Sequence, residues 1–446
     1  MPGIITTLAG TGAPGYGGDG GLAVSAQLHY PHGVAIDWRG DVFIVDSSNH
    51  RVRKLAIATG SISTVVGSGV AGYSGDGGAA TSARMHNPHV VVVDHVGNLF
   101  IGDQDNHRIR RVDAATGIIT TVAGTGTAGF GGDGGPATSA VLNGPIGVGL
   151  DSAGHLLIAD HKNHRIRQME APSGFITTIV GNGCTDFNGD GIAATSACLC
   201  FPTQAVAHHS GRLYLTDQHH HRVRVVFMGI ITTVAGTGAG GFSGDGGPAT
   251  SARLFFPQSI AVDSPGNVYI ADPDNSRVRV ISALTGAIST LAGDGVAGPS
   301  GDGGPASSAR VNYPRGIALD LTGNVVVADT DNHRIRVISA LVQPTTAPTA
   351  SPSRTPYCAP VLYRPLPRMD LVGALVGTAL SPGAATLVAT EAHCRQACCD
   401  AAACDGYAFD AATATIHAVS HCYLYVNVTQ LIPSSNFVSG IHTRVL

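Results

Sequence analysis

The sequence predicts an all-β chain whose larger part is a six-bladed β-propeller closed by its own N-terminal strand. A small disulfide-rich α+β module follows it. Three observations carry the prediction. A Gly-Asp-Gly string recurs with its aspartate at Asp19, Asp76, Asp133, Asp190, Asp245 and Asp302, at steps of 57, 57, 57, 55 and 57 residues. Each unit then holds four short β-branched runs bounded by turn residues, the pattern of four strands. The chain also carries IITTLAGTG at 4–12, just behind Met1-Pro2-Gly3, a string that returns as IITTVAGTG at 118–126 and 230–238, where it ends a unit.

The elements follow in one order. A Gly-rich stretch and an Ala-rich stretch precede a Pro with an apolar run, a Gly-x-[Leu/Val] run, an Arg run and a Thr-rich run. In the unit after Asp133 the predicted strands are 145–151, 155–160, 164–169 and 175–180. Four antiparallel strands repeated six times predict propeller blades. The sixth unit stops at Ile338-Ser339 after three strands, and the fourth-strand string at 4–8 supplies the missing one. Pairing the first strand with the last three leaves no open blade edge.

Composition bounds the rest. The 60 glycines cluster at long regular intervals, which excludes collagen and fits turns that need positive φ. The net charge is −4 and the only lysines are Lys54 and Lys162, so no basic patch for nucleic acid is present. The apolar run 371–380 is too short to span a bilayer. Prolines at 344, 348, 352 and 356 alternate with Thr, Ala and Ser, which reads as an extended linker. The domains are therefore 1–340, a linker 341–357 and 358–446.

Six cysteines fall in 358–422 and three in 184–200. The six read as a disulfide framework and point to an oxidising compartment, as does the sequon at Asn427. The expected location is extracellular or cell-surface. The chain begins Met1-Pro2-Gly3 and then a strand, with no signal peptide, so either the N-terminus is incomplete or the compartment differs. How Cys184, Cys198 and Cys200 pair is open.

The third-strand signature Ala328-Asp329-Thr330-Asp331-Asn332-His333-Arg334-Ile335-Arg336, preceded by Gly323-Asn324-Val325, resembles the NHL repeat. Six copies cover about residues 4–339, with His220 standing for Asn and Ser276 for His. The resemblance implies a six-bladed propeller used mostly as a binding platform, with some propeller relatives being lyases or lactonases. The cysteine pattern around Cys394 and Cys398, then Cys404-Asp405-Gly406-Tyr407-Ala408-Phe409 and Cys422-Tyr423-Leu424-Tyr425, resembles a PAN/apple domain. That resemblance implies a module binding protein or carbohydrate. By analogy it pairs Cys394 with Cys422 and Cys398 with Cys404, leaving Cys358 and Cys399 as candidates for a third bridge.

Several motifs suggest chemistry. Gly-x-G-x-x-Gly at Gly10 and its repeats lacks the following helix that a dinucleotide site needs, so it reads as turn glycine. Asp186, Asn188 and Asp190 copy half a calcium loop, but Ala197 stands where the closing carboxylate belongs. The Asp-x-x-Asn-His-Arg turn recurs in every unit, and sixfold recurrence suits a blade turn rather than an active site.

Function is sought where units differ. The position after the strand-one Pro reads His32, His89, Ile146, Thr203, Gln258 and Arg315, and the turn slots include Gln104, Asp105, His161 and His219. The candidate binding residues on the channel face are thus His32, His89, Thr203, Gln258, Arg315, Gln104, Asp105, His161 and His219, expected as an exposed asymmetric rim. Free variation of solvated loops is the other reading. His32 and His89 are a weak metal pair with no third ligand in view. No cofactor is expected, with calcium or zinc the weaker alternative.

The function expected is a non-enzymatic recognition or adhesion protein binding protein or carbohydrate. The alternative is a metal-assisted lyase or lactonase with its site in the channel. An intracellular scaffold is a third reading, and the oligomeric state is unknown.

Overall fold

The first strands of the six units touch one another around a closed ring, and each starts a four-stranded antiparallel blade. The computed structural model describes residues 3–339 together with two short strands, Ala408–Asp410 and Thr415–His417. The first blade runs Pro31–Ile36, Val42–Asp46, Arg51–Ala56 and Ser61–Val66 from the channel outward. The sixth runs Pro314–Leu319, Val325–Asp329 and Arg334–Ile338, and its outer strand is the N-terminal Ile5–Ala9. Ile5 faces Ile338 and Thr7 faces Arg336 in that antiparallel pair. The ring is therefore closed by the strand that opens the chain.

The third blade consists of Gly147–Leu150, Leu156–Asp160, Arg165–Met169 and Phe175–Val180, within the predicted bounds but shorter at the turns. His164 is left-handed at φ 57, so the third strand starts one residue later than the sequence suggests. Blades three and four each gain a two-residue strand on the outer edge, Gly135–Pro136 and Ile192–Ala193, which the sequence reading lacks.

The blades pack face to face. Val45, Val52 and Val66 of the first blade share a buried cluster with Val91 and Ile101 of the second and with Ala80, Ala83 and Met85 from the connecting loop. The Ala-rich stretch of each unit is a 3-10 turn such as Ala80–Ser82, whose alanines are buried where a larger side chain would overfill the gap. A Cβ on Gly33 would come within 2.7 Å of the His89 carbonyl. Gly147 and Gly316 likewise face a carbonyl of the next inner strand, so the Pro-x-Gly of blades one, three and six allows a close approach that a Cβ would block.

The largest fully buried side chains include six arginines, Arg53, Arg110, Arg167, Arg224, Arg279 and Arg336. Each bridges two carboxylates. Arg53, for example, reaches Asp46 of the blade turn at 3.4 Å and Asp19 of the Gly-Asp-Gly loop at 2.6 Å. A buried charge is costly unless it is paired and hydrogen-bonded. This pairing explains why the Gly-Asp-Gly aspartate and the second Arg of x-Arg-x-Arg recur together.

The chain divides into two compact units, Met1–Ala350 and Ser351–Leu446. In the second, Ala408–Asp410 and Thr415–His417 pair antiparallel. The PAN/apple-like reading of the rest, its cysteine pairings and the sequon Asn427 lie outside the described residues. No helix among the described residues is long and apolar enough to cross a membrane. Cys184 and Cys198 form a disulfide across 14 residues, and among the described residues Cys200 has no disulfide partner.

Candidate functional site

The recurring turn is a structural device. Asp46 accepts from the backbone N–H of His29 at 2.7 Å and from Asn49 Nδ2 at 2.8 Å, besides its contact with Arg53. Asp103, Asp160, Asp272 and Asp329 repeat this set. Burial raises the carboxyls of Asp160, Asp272 and Asp329 to about 6, against the lowering pull of these partners. His220, which replaces Asn in the fourth blade, fills the same role. Its Nδ1 meets Asp217 at 2.9 Å and its Nε2 meets the Thr185 carbonyl at 2.7 Å.

The His of each turn has its own task. His50, His107, His164, His221 and His333 are left-handed, and the Nδ1 of each accepts the backbone N–H of the residue before the Pro of the next blade. Those residues are Tyr30, Asn87, Gly144, Phe201 and Phe256, and Tyr313, which follows Ser276 and has no such imidazole, shares their backbone, all six having φ between 47 and 57. A residue before proline is ordinarily extended, and a bulky one rarely has positive φ. Four aromatic rings are thus held in a strained backbone on blades four, five, six and one, beside the channel.

The arc continues into the turn slots. Phe201 lies against His161, His164 and His219 with ring centroids 5.0, 4.6 and 4.5 Å away. Phe256 stacks on Phe255 at 5.0 Å and meets His219 at 4.9 Å. Tyr30 packs edge-on to His333 at 4.8 Å and is 40% exposed. The sequence reading missed these aromatics. Their signal was the same slot-by-slot variation, one residue before the Pro.

The candidates after the Pro are placed differently from the expected exposed rim. His32, His89 and Thr203 are buried, and with Gln258 and Arg315 they line one cavity of about 20 Å³ in the channel. The channel is narrow enough at this level for the side chains to meet across it. His32 and His89 stack with centroids 4.4 Å apart. An Arg315 amine donates to His32 Nε2 at 3.1 Å. Thr203 bonds Thr216 and the Gln258 carbonyl. Burial first, and neighbouring positive charge second, hold both histidines well below the usual imidazole range.

The turn-slot candidates lie nearer the surface. His161 Nδ1 meets the Pro202 carbonyl at 3.1 Å, and burial lowers this imidazole to about 4. Asp105 lies 3.9 Å from His86, and His219 is exposed between Phe201 and Phe256.

The weak metal candidates have protein partners in the structure. Arg315 occupies the His32 Nε2 lone pair that a metal would need, and its charge repels a cation. Asn188 donates to the Ser196 carbonyl and accepts from Cys198 N–H, while Asp190 bonds Arg224 and Thr233. Asn188 thus ties the disulfide-closed loop together and Asp190 ties it to the fourth blade, and with Asp186 they form no metal-ligand cluster among the described residues.

Comparison with known proteins matches residues 28–55, 142–169 and 311–338 to the NHL repeat. Protein SUPPRESSOR OF QUENCHING 1, chloroplastic, of Arabidopsis thaliana is 27% identical over 329 residues, covering 70% of this chain and 30% of that protein. NHL repeat-containing protein 2 of Gallus gallus is 26% identical over 345 residues, 70% of this chain and 47% of that protein. The chain thus spans less than half the length of these relatives. Among solved structures, an auxiliary nutrient binding protein from Bacteroides thetaiotaomicron superposes with a TM-score of 0.54 at 17% identity, over 75% of this chain and 76% of that one. At that identity the likeness is one of fold.

Proposed function

We propose that this six-bladed propeller of NHL repeats is a recognition protein that binds protein or carbohydrate on the channel face carrying the aromatic arc. The observation behind the reading is the left-handed backbone of Tyr30, Phe201, Phe256 and Tyr313. Strain of this kind persists where surrounding structure over-determines it, and it gathers at ligand clamps. Aromatic rings beside polar slots offer a stacking surface with hydrogen-bonding neighbours, which suits a sugar ring or a peptide side chain. Asn87 and Gly144 leave the arc open on blades two and three, so a ligand would lie to one side of the channel.

An extracellular or cell-surface location accompanies this reading. The Cys184–Cys198 disulfide supports an oxidising compartment, as do the six cysteines of 358–422. A PAN/apple-like module in 358–446 would add a second binding element. A metal-assisted lyase or lactonase receives less support, because Arg315 takes the imidazole nitrogen such a site would use.

The test is a screen of the full chain against glycan and surface-protein libraries, repeated with Tyr30→Ala and Phe256→Ala combined. Ligand binding should weaken at least about tenfold with little change in melting, because aromatic anchors dominate such interfaces. A double variant that holds every identified ligand as wild type does would sink the assignment to this face.

A further inference from the structure

Six arginines of the propeller are fully buried, and every one of them sits between two aspartates. Arg315 breaks the pattern. It is drawn into the channel between Tyr313, whose ring lies 4.7 Å from its guanidinium, and His32, and among the described residues it makes no ion pair. Asp274 and Asp331 act on it only at longer range. Its Nε–H is buried without a partner, as are those of Arg110, Arg224, Arg279 and Arg336, so what sets Arg315 apart is the missing ion pair.

The neighbours add to this imbalance. Because guanidinium only donates, His32 Nε2 must be the acceptor, and the ring proton sits on Nδ1. That Nδ1 is buried with no partner, as are His89 Nδ1 and Gln258 Oε1. Both histidines are more than nine-tenths buried. A buried donor without an acceptor is costly, and a drawn-in charge without a counter-ion adds to that cost. Thr203 is satisfied within the fold, so the open valences belong to Arg315, His32, His89 and Gln258.

We infer that this ring binds a carboxylate group, the counter-charge that Arg315 lacks, with His32 Nδ1–H as a second donor. A carboxylate matches the forked donors of an arginine in plane and spacing. The cavity of about 20 Å³ admits the tip of a ligand and not its body. The rest of the ligand would lie against the aromatic arc, which Arg315 adjoins through Tyr313. A divalent metal is disfavoured by the same guanidinium. The inference rests on the reading of this face as the ligand-binding one, and it narrows the ligand to an acidic sugar, a free organic acid or a chain end with a free carboxylate.

The test uses the full chain and five probes: acetate, glucuronate, its neutral twin glucuronamide, and one short peptide with a free or an amidated C-terminus. Binding is followed by the ring C–H resonances of His32 and His89 and by calorimetry. At least one charged probe should bind about tenfold or more tightly than its neutral twin, with acetate serving as the free-acid arm. Which probe prefers its charge identifies the source. Arg315→Gln should abolish that preference, and Arg315→Lys should keep part of it.

Equal affinity of charged and neutral twins would overturn the carboxylate site, as would a preference that survives Arg315→Gln. So would unmoved His32 and His89 resonances with every probe at concentrations on the order of 10 mM. The wild-type comparison decides the matter even where a variant does not fold. Charge preference lost while Phe256→Ala still weakens binding would remove the carboxylate site and leave the face reading intact. If Phe256→Ala and Arg315→Gln both leave binding unchanged, both readings fall.

Discussion

The backbone N–H of Tyr30 donates to Nδ1 of His333 across 3.2 Å, although the two residues are 303 positions apart. The bond joins the sixth blade to the first, and the same bond links each earlier blade to its successor except across Ser276, where no imidazole is present. His333 is also left-handed at φ 54, so both ends of the bond lie in unusual backbone.

Replacing His333 by Ala should therefore remove the acceptor of a partly buried N–H while leaving the left-handed backbone at that position in place. The expected loss is about 1–3 kcal/mol. His333→Asn should recover part of it, since Asn tolerates this backbone and carries an acceptor. Calorimetric melting of the three proteins checks this, and an Ala variant as stable as wild type would show the bond to be idle.

Deleting residues 1–10 should unlock the sixth blade. Ile5 and Ala9 are fully buried, and Thr7 bonds Asp302 in the last Gly-Asp-Gly loop. Their loss bares the edge of Arg334–Ile338, a template for pairing with another chain. A fall in melting temperature of roughly 10 °C or more with new oligomers on gel filtration is expected. An unchanged melt and a monomeric profile would contradict the closure.

Much of this was legible in the sequence because the repeat advertises it. The Asp and Arg of every unit recur since a buried arginine needs two carboxylates, and the opening string could be matched to its five counterparts. The site was less legible. His32 and His89 were found by asking where units differ, but the sequence could not show that their rings stack at 4.4 Å, since channel width follows from how six blades close. Tyr30 and Phe256 were passed over because a residue before proline reads as an ordinary extended connector. The left-handed backbone that makes them notable is a feature of the folded blade junction, where an imidazole from the preceding blade meets the N–H of each.

Replacing Cys184 and Cys198 together by Ser should cost about 3 kcal/mol, the chain-entropy value for a loop of this length. Reduction should therefore act on the propeller as well as on any disulfides of 358–446. Cys200→Ala should matter less, because it is the backbone N–H of Cys200 that bonds Asp217. Equal melting of the reduced and oxidised propeller would refute the expected contribution.

His161 gives a pH test whose sign can be worked out. Burial lowers its pKa to about 4, whereas an unfolded chain takes up the proton near 6.5. Below about 6.5 the unfolded state binds a proton that the native ring refuses, so the stability His161 contributes is complete above 6.5 and lost as pH falls towards 4. Asp160, Asp272 and Asp329 run the other way: raised to about 6, they contribute stability that is lost as pH rises from the ordinary carboxyl range to 6. The whole protein's profile therefore mixes opposing slopes below pH 6. The difference between wild type and His161→Phe isolates the imidazole, and Phe can keep the ring contact with Phe201. Wild type should lose about 1–3 kcal/mol relative to that variant between pH 7 and pH 4, allowing for partial exposure of the ring. Denaturant melts at pH 7, 6, 5 and 4 supply the comparison, and parallel curves for the two proteins would show that His161 titrates alike in the folded and unfolded states.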